Sequence, residues 1–333
     1  MKHPTKATLI ILAMFIIAQF IGLLVMSSYD NYFGSKAQEK IKTGELIQPE
    51  VSIISETIPE KIELKTTIDI MQVITIIIIS LILATLFFFL LYKVRFVALL
   101  KIWFAFVVFI SLSISFSLIL YYFIGINLFN VLSKNISLAE IIAVPLAAVF
   151  TFYKIVKRNM LAHNFSEVFV YPGLAVIFLP LLNVIAASVL LVFISIYDII
   201  AVWKTKHMIK LAKFQINKMK IFTGFFIPYL KPKDKVKIQK MQAMAKLKGK
   251  KLKSNIKIKV NIAALGGGDV AFPLMFTGTI FFAYGLLAAI ITILTTALAL
   301  FLLLLASKKG KFYPAMPFLS AGCFLGLFIA LLI

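Results

Sequence analysis

Between Lys259 and Lys308 the chain carries a single charged side chain, Asp269. Such a run is far too long for one buried helix of a soluble domain. It is also too long for one passage through a bilayer, whose hydrocarbon takes about 20 apolar residues per helix. The chain must therefore cross, turn and cross again, and other apolar stretches make the same demand elsewhere. Of 333 residues, 62% are hydrophobic and only 14% charged, against about 25% charged in an ordinary soluble domain. The class that fits is an all-α polytopic membrane protein.

Nine segments are long and apolar enough, at roughly 7–27, 69–92, 96–124, 138–157, 166–182, 184–203, 262–284, 286–306 and 312–333. The fifth is short and contains Pro172 and Pro180. The fifth and sixth meet at Asn183 and the seventh and eighth near Gly285, so both pairs read as tight hairpins. The first segment follows Lys2 and Lys6 and is longer than a signal-peptide core of about 7–15 residues, which favours an uncleaved helix. Two long connections remain, 28–68 and 204–261. The chain divides into a six-helix part (1–203), a basic loop (204–261) and a three-helix part (262–333).

Basic residues fix the expected orientation. With the N-terminus in the cytoplasm, the outside segments hold Lys36, Lys40, Lys42, Lys61, Lys65 and Lys134, and the rest of the 35 basic residues lie inside. The loop 204–261 is then cytoplasmic and the C-terminus outside. The net charge of +22 becomes a topology signal and an attraction to anionic lipid, so the lipid bilayer is the expected partner and nucleic acid is not. The lone Cys323 excludes an intrachain disulfide and, in its apolar run, reads as an inert buried thiol.

Most of the 13 acids sit in the first outside loop. Glu140 and Glu167 fall at helix ends. Two others lie within apolar sequence: Asp198 in VFISIYDIIAVW and Asp269 in GGGDVAFPLMF. Intramembrane carboxyls are costly and usually functional; the plain alternative is a protonated Asp bonding two helices. Asp198 precedes Lys204 on a helix running inward, which places it roughly 9 Å below the cytoplasmic boundary. Asp269 reaches a similar level if part of 260–268 is unwound, as its glycines suggest. Two close carboxyls in a low-dielectric site share one proton. One activates water and the other hydrogen-bonds a scissile carbonyl, hydrolysing a peptide bond with no metal and no cofactor. His3, His163 and His207 lie at the terminus or in basic segments, and no HExxH occurs. A transporter or channel using the acids as a proton or cation relay is the alternative of another class, and an inactive helix-binding relative a third.

Tyr197-Asp198, Gly266-Gly267-Gly268-Asp269 and Pro314-Ala315-Met316-Pro317 occur in that order on the sixth, seventh and ninth segments. They resemble the YD, GxGD and PAL motifs of the presenilin and signal peptide peptidase family of intramembrane aspartyl proteases. The resemblance implies a presenilin-like bundle of nine transmembrane helices and a catalytic pair of Asp198 and Asp269. It implies that Pro314, Ala315 and Met316 lie beside the pair and shape the substrate site, with Met316 departing from the family's Leu. The orientation and YDIIAV resemble the presenilin branch, which implies type I substrates; Pro273 is more like the peptidase branch. A divergent, archaeal-type member would fit both. Expected partners are transmembrane-helix proteins or peptides. Homo-oligomerisation is left open, and nothing in the chain points to an accessory subunit.

Tyr197 is read as a hydrogen-bond neighbour of Asp198. The glycine triplet serves close helix packing, close substrate approach, or both. Lysines from Lys204 to Lys220 suggest an amphipathic extension of the sixth helix, and residues 221–230, IFTGFFIPYL, are too short to span and would dock on the bundle or membrane. Ile256, Ile258, Val260 and Ile262 alternate with polar residues, a strand pattern leading into the glycines. Ile258 and Val260 are thereby candidates for pairing with unwound substrate by strand addition.

Overall fold

Long helices with apolar side chains on every face, joined by few polar residues, can only pack against one another and against lipid. The computed structural model realises such a bundle. It describes residues 4–43, 52–58, 71–76, 78–80, 82–83, 86–87, 97–125, 128–131, 134–157, 159–204, 223–229, 261–307 and 313–333. The helices are α1 (Thr5–Tyr32), α2 (Ser35–Lys42), α3 (Ile53–Thr57), α4 (Val97–Ile124), α5 (Leu138–Ile155), α6 (Met160–Phe178), α7 (Val184–Ile199), α8 (Gly268–Ala306) and α9 (Met316–Leu332). Among the described residues, six helices are long and apolar enough to cross a membrane, and α9 falls just short. Of the expected second span, 69–92, the described residues are 71–76, 78–80, 82–83 and 86–87, all of them helical.

The bundle is not purely α-helical. Two antiparallel hairpins accompany the helices: β1 (Leu128–Val131) with β2 (Lys134–Ser137), and β3 (Gly224–Tyr229) with β4 (Asn261–Gly266). The expected seventh span therefore starts at Gly268 rather than residue 262, because residues 261–266 pair as a strand.

At Gly285 a positive φ of 86° breaks α8, a conformation open to glycine and strained for other residues. Packing against α9 shows that the chain reverses there. Phe276 meets Phe324 with ring centroids 5.8 Å apart, so the first limb runs alongside α9. Gly322 lies against Thr296 and Gly326 against Thr292, so the second limb runs against it. The turn between α6 and α7 is equally tight: a short 3-10 turn at Leu179–Leu181 leads to Asn183, whose side chain caps α7 by accepting from Ala186 N at 2.7 Å.

The core runs through α1, α4, α6, α7, α8, α9 and the β3–β4 hairpin, with Phe15, Met26, Leu118, Tyr171, Leu191, Phe225 and Phe276 all buried. Outward-facing Ile10, Trp103, Phe123, Leu287 and Phe328 are exposed, as a lipid-facing surface requires. α1 is integral to this core. Gln19 Nε2 donates to Val270 O at 3.1 Å and Ser28 Oγ to Leu118 O at 2.5 Å. On the side of the first loop, Glu140 ties α3 to the bundle, accepting from Ser52 Oγ, from Ile53 N at 3.2 Å and from Tyr121 OH at 3.2 Å.

Small residues let the helices approach this closely without a hydrophobic drive from water. A Cβ added to Gly173 would stand 2.0 Å from Ser111 O, so α6 touches the α4 backbone there. Gly173→Val should force the two helices apart at a cost of about 1–3 kcal/mol, read as a lowered Tm in detergent. An unchanged Tm would contradict this packing.

Candidate active site

Asp198 lies on the last turn of α7 and is 5% exposed. Beyond it the helix widens into a π turn, Ile200–Lys204, a local irregularity common at functional sites. Its carboxylate faces the start of α9. The first N–H groups of a helix have no partner within it, and here they have one: Met316 N donates to Asp198 Oδ2 at 3.1 Å, and Ala315 N donates as well. Below this contact the two helices are stitched by Ser195 Oγ and Ser320 Oγ, 2.8 Å apart.

Asp269 stands in the first turn of α8, half-buried, and its carboxylate accepts from Gly266 N. It too lies at a helix start, where the helix dipole favours negative charge. Asp198 and Asp269 are near enough for their charges to interact. The structure thus brings the two intramembrane acids of the sequence to one site, each held by backbone N–H donors.

The three glycines serve different ends. A Cβ on Gly266 would crowd Asp269 Oδ2 at 3.1 Å, and one on Gly267 would crowd Tyr171 OH at 3.2 Å. Gly268 faces only Phe272 of its own helix. Pro314 and Met316 are buried. Tyr197 is not drawn in: it is 41% exposed beside the buried Asp198, because adjacent helical residues point in different directions. The expected Tyr197–Asp198 hydrogen bond is not among those Asp198 makes. Ile258 and Val260 lie outside the described residues, as does His207.

Sequence reasoning missed several residues around this site. The apolar segment expected merely to dock supplies β3, the partner of β4, in the register Gly224↔Gly266, Phe226↔Ala264 and Pro228↔Ile262. The strand expected from Ile256 to Ile262 lies mostly outside the described residues, and residues 261–266, within the stretch expected to be partly unwound, form one strand of an antiparallel pair. The composition of β3, FFIPY, was a usable signal: aromatic and β-branched residues favour strands, and proline marks an edge strand. His163 and Glu167, expected in a basic segment and at a helix end, are buried inside α6. Lys154, counted as a topology charge, forms a buried ion pair with Glu167 at 2.8 Å. Among the described residues, no cluster of side chains could hold a metal ion.

The model of the family described as signal-peptide peptidase, presenilin aspartyl protease matches residues 50–333. The chain belongs to that family. Two solved structures, each described as a presenilin family intramembrane aspartate protease and differing in crystal form, share its fold. One aligns with a TM-score of 0.56 at 18% identity, covering 98% of both chains. The other has a TM-score of 0.54 at 17% identity and covers 97% of this chain and 96% of its own. No individually curated protein matches the chain.

Within this family assignment, the role of Met316 becomes specific. Its contact with Asp198 is made by the backbone, so the side chain need only pack. Met316→Leu should leave hydrolysis of a transmembrane peptide within about twofold, since near-isosteric swaps cost little. Met316→Pro deletes the donor and also crowds the αR backbone of Ala315 and removes a buried side chain; loss of the hydrogen bond to a charged group, about 1.5–3 kcal/mol, should by itself slow hydrolysis at least roughly 10-fold. Equal effects of the two variants would refute a backbone role.

Proposed function

We propose that this protein cleaves peptide bonds within transmembrane helices, with Asp198 and Asp269 as the catalytic pair. The observation that carries this reading is the convergence of the two acids at one site, Asp198 held by the N–H groups that open α9 and Asp269 by Gly266 N at the end of β4, just before α8. In the resting state the pair holds one proton. The ionised carboxylate takes a proton from water as it attacks the scissile carbonyl. The protonated partner gives its proton to the carbonyl oxygen. As the tetrahedral diol collapses, the carboxyl that took water's proton delivers it to the leaving nitrogen, and the partner recovers a proton from the diol. The full reading has nine spans, the N-terminus and the 204–261 loop in the cytoplasm, the C-terminus outside, and type I helices as substrates. A proton or cation relay draws no support from the family match.

Helical substrate must unwind before water can reach its carbonyl, and the β3–β4 hairpin offers a place for it. Asn164 takes both the N–H and the C=O of Phe226, so these groups point away from β4. By the two-residue alternation of an antiparallel ladder, the backbone groups of Ile262, Ala264 and Gly266 point outward from the other edge. Gly266 N donates from that edge to Asp269. A peptide added to the outer edge of β4 is thus led to the catalytic carboxyl.

Two experiments test this. Asp198→Asn and Asp269→Asn should each lower cleavage of a transmembrane peptide by about 100- to 10,000-fold; substantial turnover by either variant would end the protease reading. Ala264→Pro removes an outward N–H without touching the ladder and should raise KM several-fold with kcat little changed. A wild-type KM in that variant would exclude strand addition at β4.

A further inference from the structure

The β3–β4 hairpin has to be held somewhere, since two strands alone are marginally stable. α6 does this with side chains spaced along its inner side. Asn164 Nδ2 donates to Phe226 O at 2.9 Å, and Phe226 N donates to Asn164 Oδ1 at 3.2 Å. One amide side chain thereby makes both bonds that a neighbouring strand would make. His163 Nε2 lies 2.9 Å from Gly224 O. A carbonyl can only accept, so that nitrogen carries the hydrogen. The His163 ring also packs on Phe226, with centroids 4.7 Å apart.

The residues behind this contact fix it. Glu167, one turn after His163, sits 3.6 Å from His163 Nε2 and pairs with Lys154 of α5. Tyr171, one turn further, packs edge-on against Phe225 and faces Gly267, the residue just before α8. His163, Glu167 and Tyr171 recur every four residues, so they line one face of α6. That face runs from the outer edge of β3 to the turn that carries Asp269. Gly224 completes the fit: its φ of +127° and the 2.1 Å that would separate an added Cβ from Leu265 O leave room for no side chain.

We infer that His163 and Asn164 are positioning residues for the active site: by occupying the outer edge of β3 they lock the hairpin to α6 and direct an incoming extended peptide to the edge of β4 beside Asp269. This rests on the proteolytic reading above and deepens it. An open β3 edge would compete for the peptide, and a hairpin free to slide would present more than one peptide bond to the acids.

The test uses the full-length protein in nanodiscs with a transmembrane peptide. Asn164→Ala removes both bonds, Asn164→Asp keeps only the acceptor, and His163→Gln keeps an N–H donor. Amide exchange over Gly224–Tyr229 and Asn261–Gly266 should rise about tenfold in Asn164→Ala and less in Asn164→Asp, with exchange in α4 unchanged as the control for folding. The peptide Kd should weaken in the same order, and product termini, read by mass spectrometry, should spread over more bonds at a nearly constant kcat. His163→Gln should stay near wild type. Wild-type exchange in Asn164→Ala would overturn the latch. Faster exchange with an unchanged Kd and a single cleavage position would overturn the positioning role. If the wild-type protein binds the peptide without cleaving it, the protease reading fails, while exchange and Kd still decide the latch.

Discussion

Two carboxyls inside an apolar bundle are the constraint to which the rest of this structure answers. Such groups need local donors and a share of one proton, because burial without them is prohibitive. The donors come from places where the backbone has N–H groups to spare. α8 and α9 both begin beside the pair, and each acid meets N–H groups that no helix or strand uses. Because the donors are main-chain atoms, the arrangement depends on where β4 ends and α9 starts rather than on which side chains stand there.

Starting two helices at one depth has consequences for packing. α9 must run alongside the first limb of α8 and against the second, and the small residues Gly322 and Gly326 permit the close approach. α1 braces the first turn of α8 through Gln19 and Val270 O. α6 braces the hairpin that precedes it. The acids are thus supported from several sides by elements that contribute no chemistry themselves.

Much of this was legible in the sequence, for physical reasons. Apolar length marks helices, and a charged residue inside such a length is conspicuous, so Asp198 and Asp269 stood out. Gly285 and Asn183 were visible as breaks between spans. What stayed hidden was pairing at a distance. Nothing local ties FFIPY to the residues before the glycines, because strand partners are chosen by tertiary contact and not by composition alone. Lys154, His163 and Glu167 looked like residues of a wet boundary; they are buried because they satisfy one another and the hairpin. Tyr197 was expected to bond Asp198, but successive helical residues point in different directions and its side chain is exposed.

The reversal at Gly285 leaves no loop between the limbs of α8. About 24 Å of helix separates that turn from Asp269, close to the thickness of a bilayer's hydrocarbon. The first limb therefore acts as a rod of fixed length between the turn and the acid. With no slack to absorb mismatch, a thicker or thinner bilayer has to be met by tilting the rod. The level at which the carboxyl stands, and so its access to water, is coupled to the lipids around it.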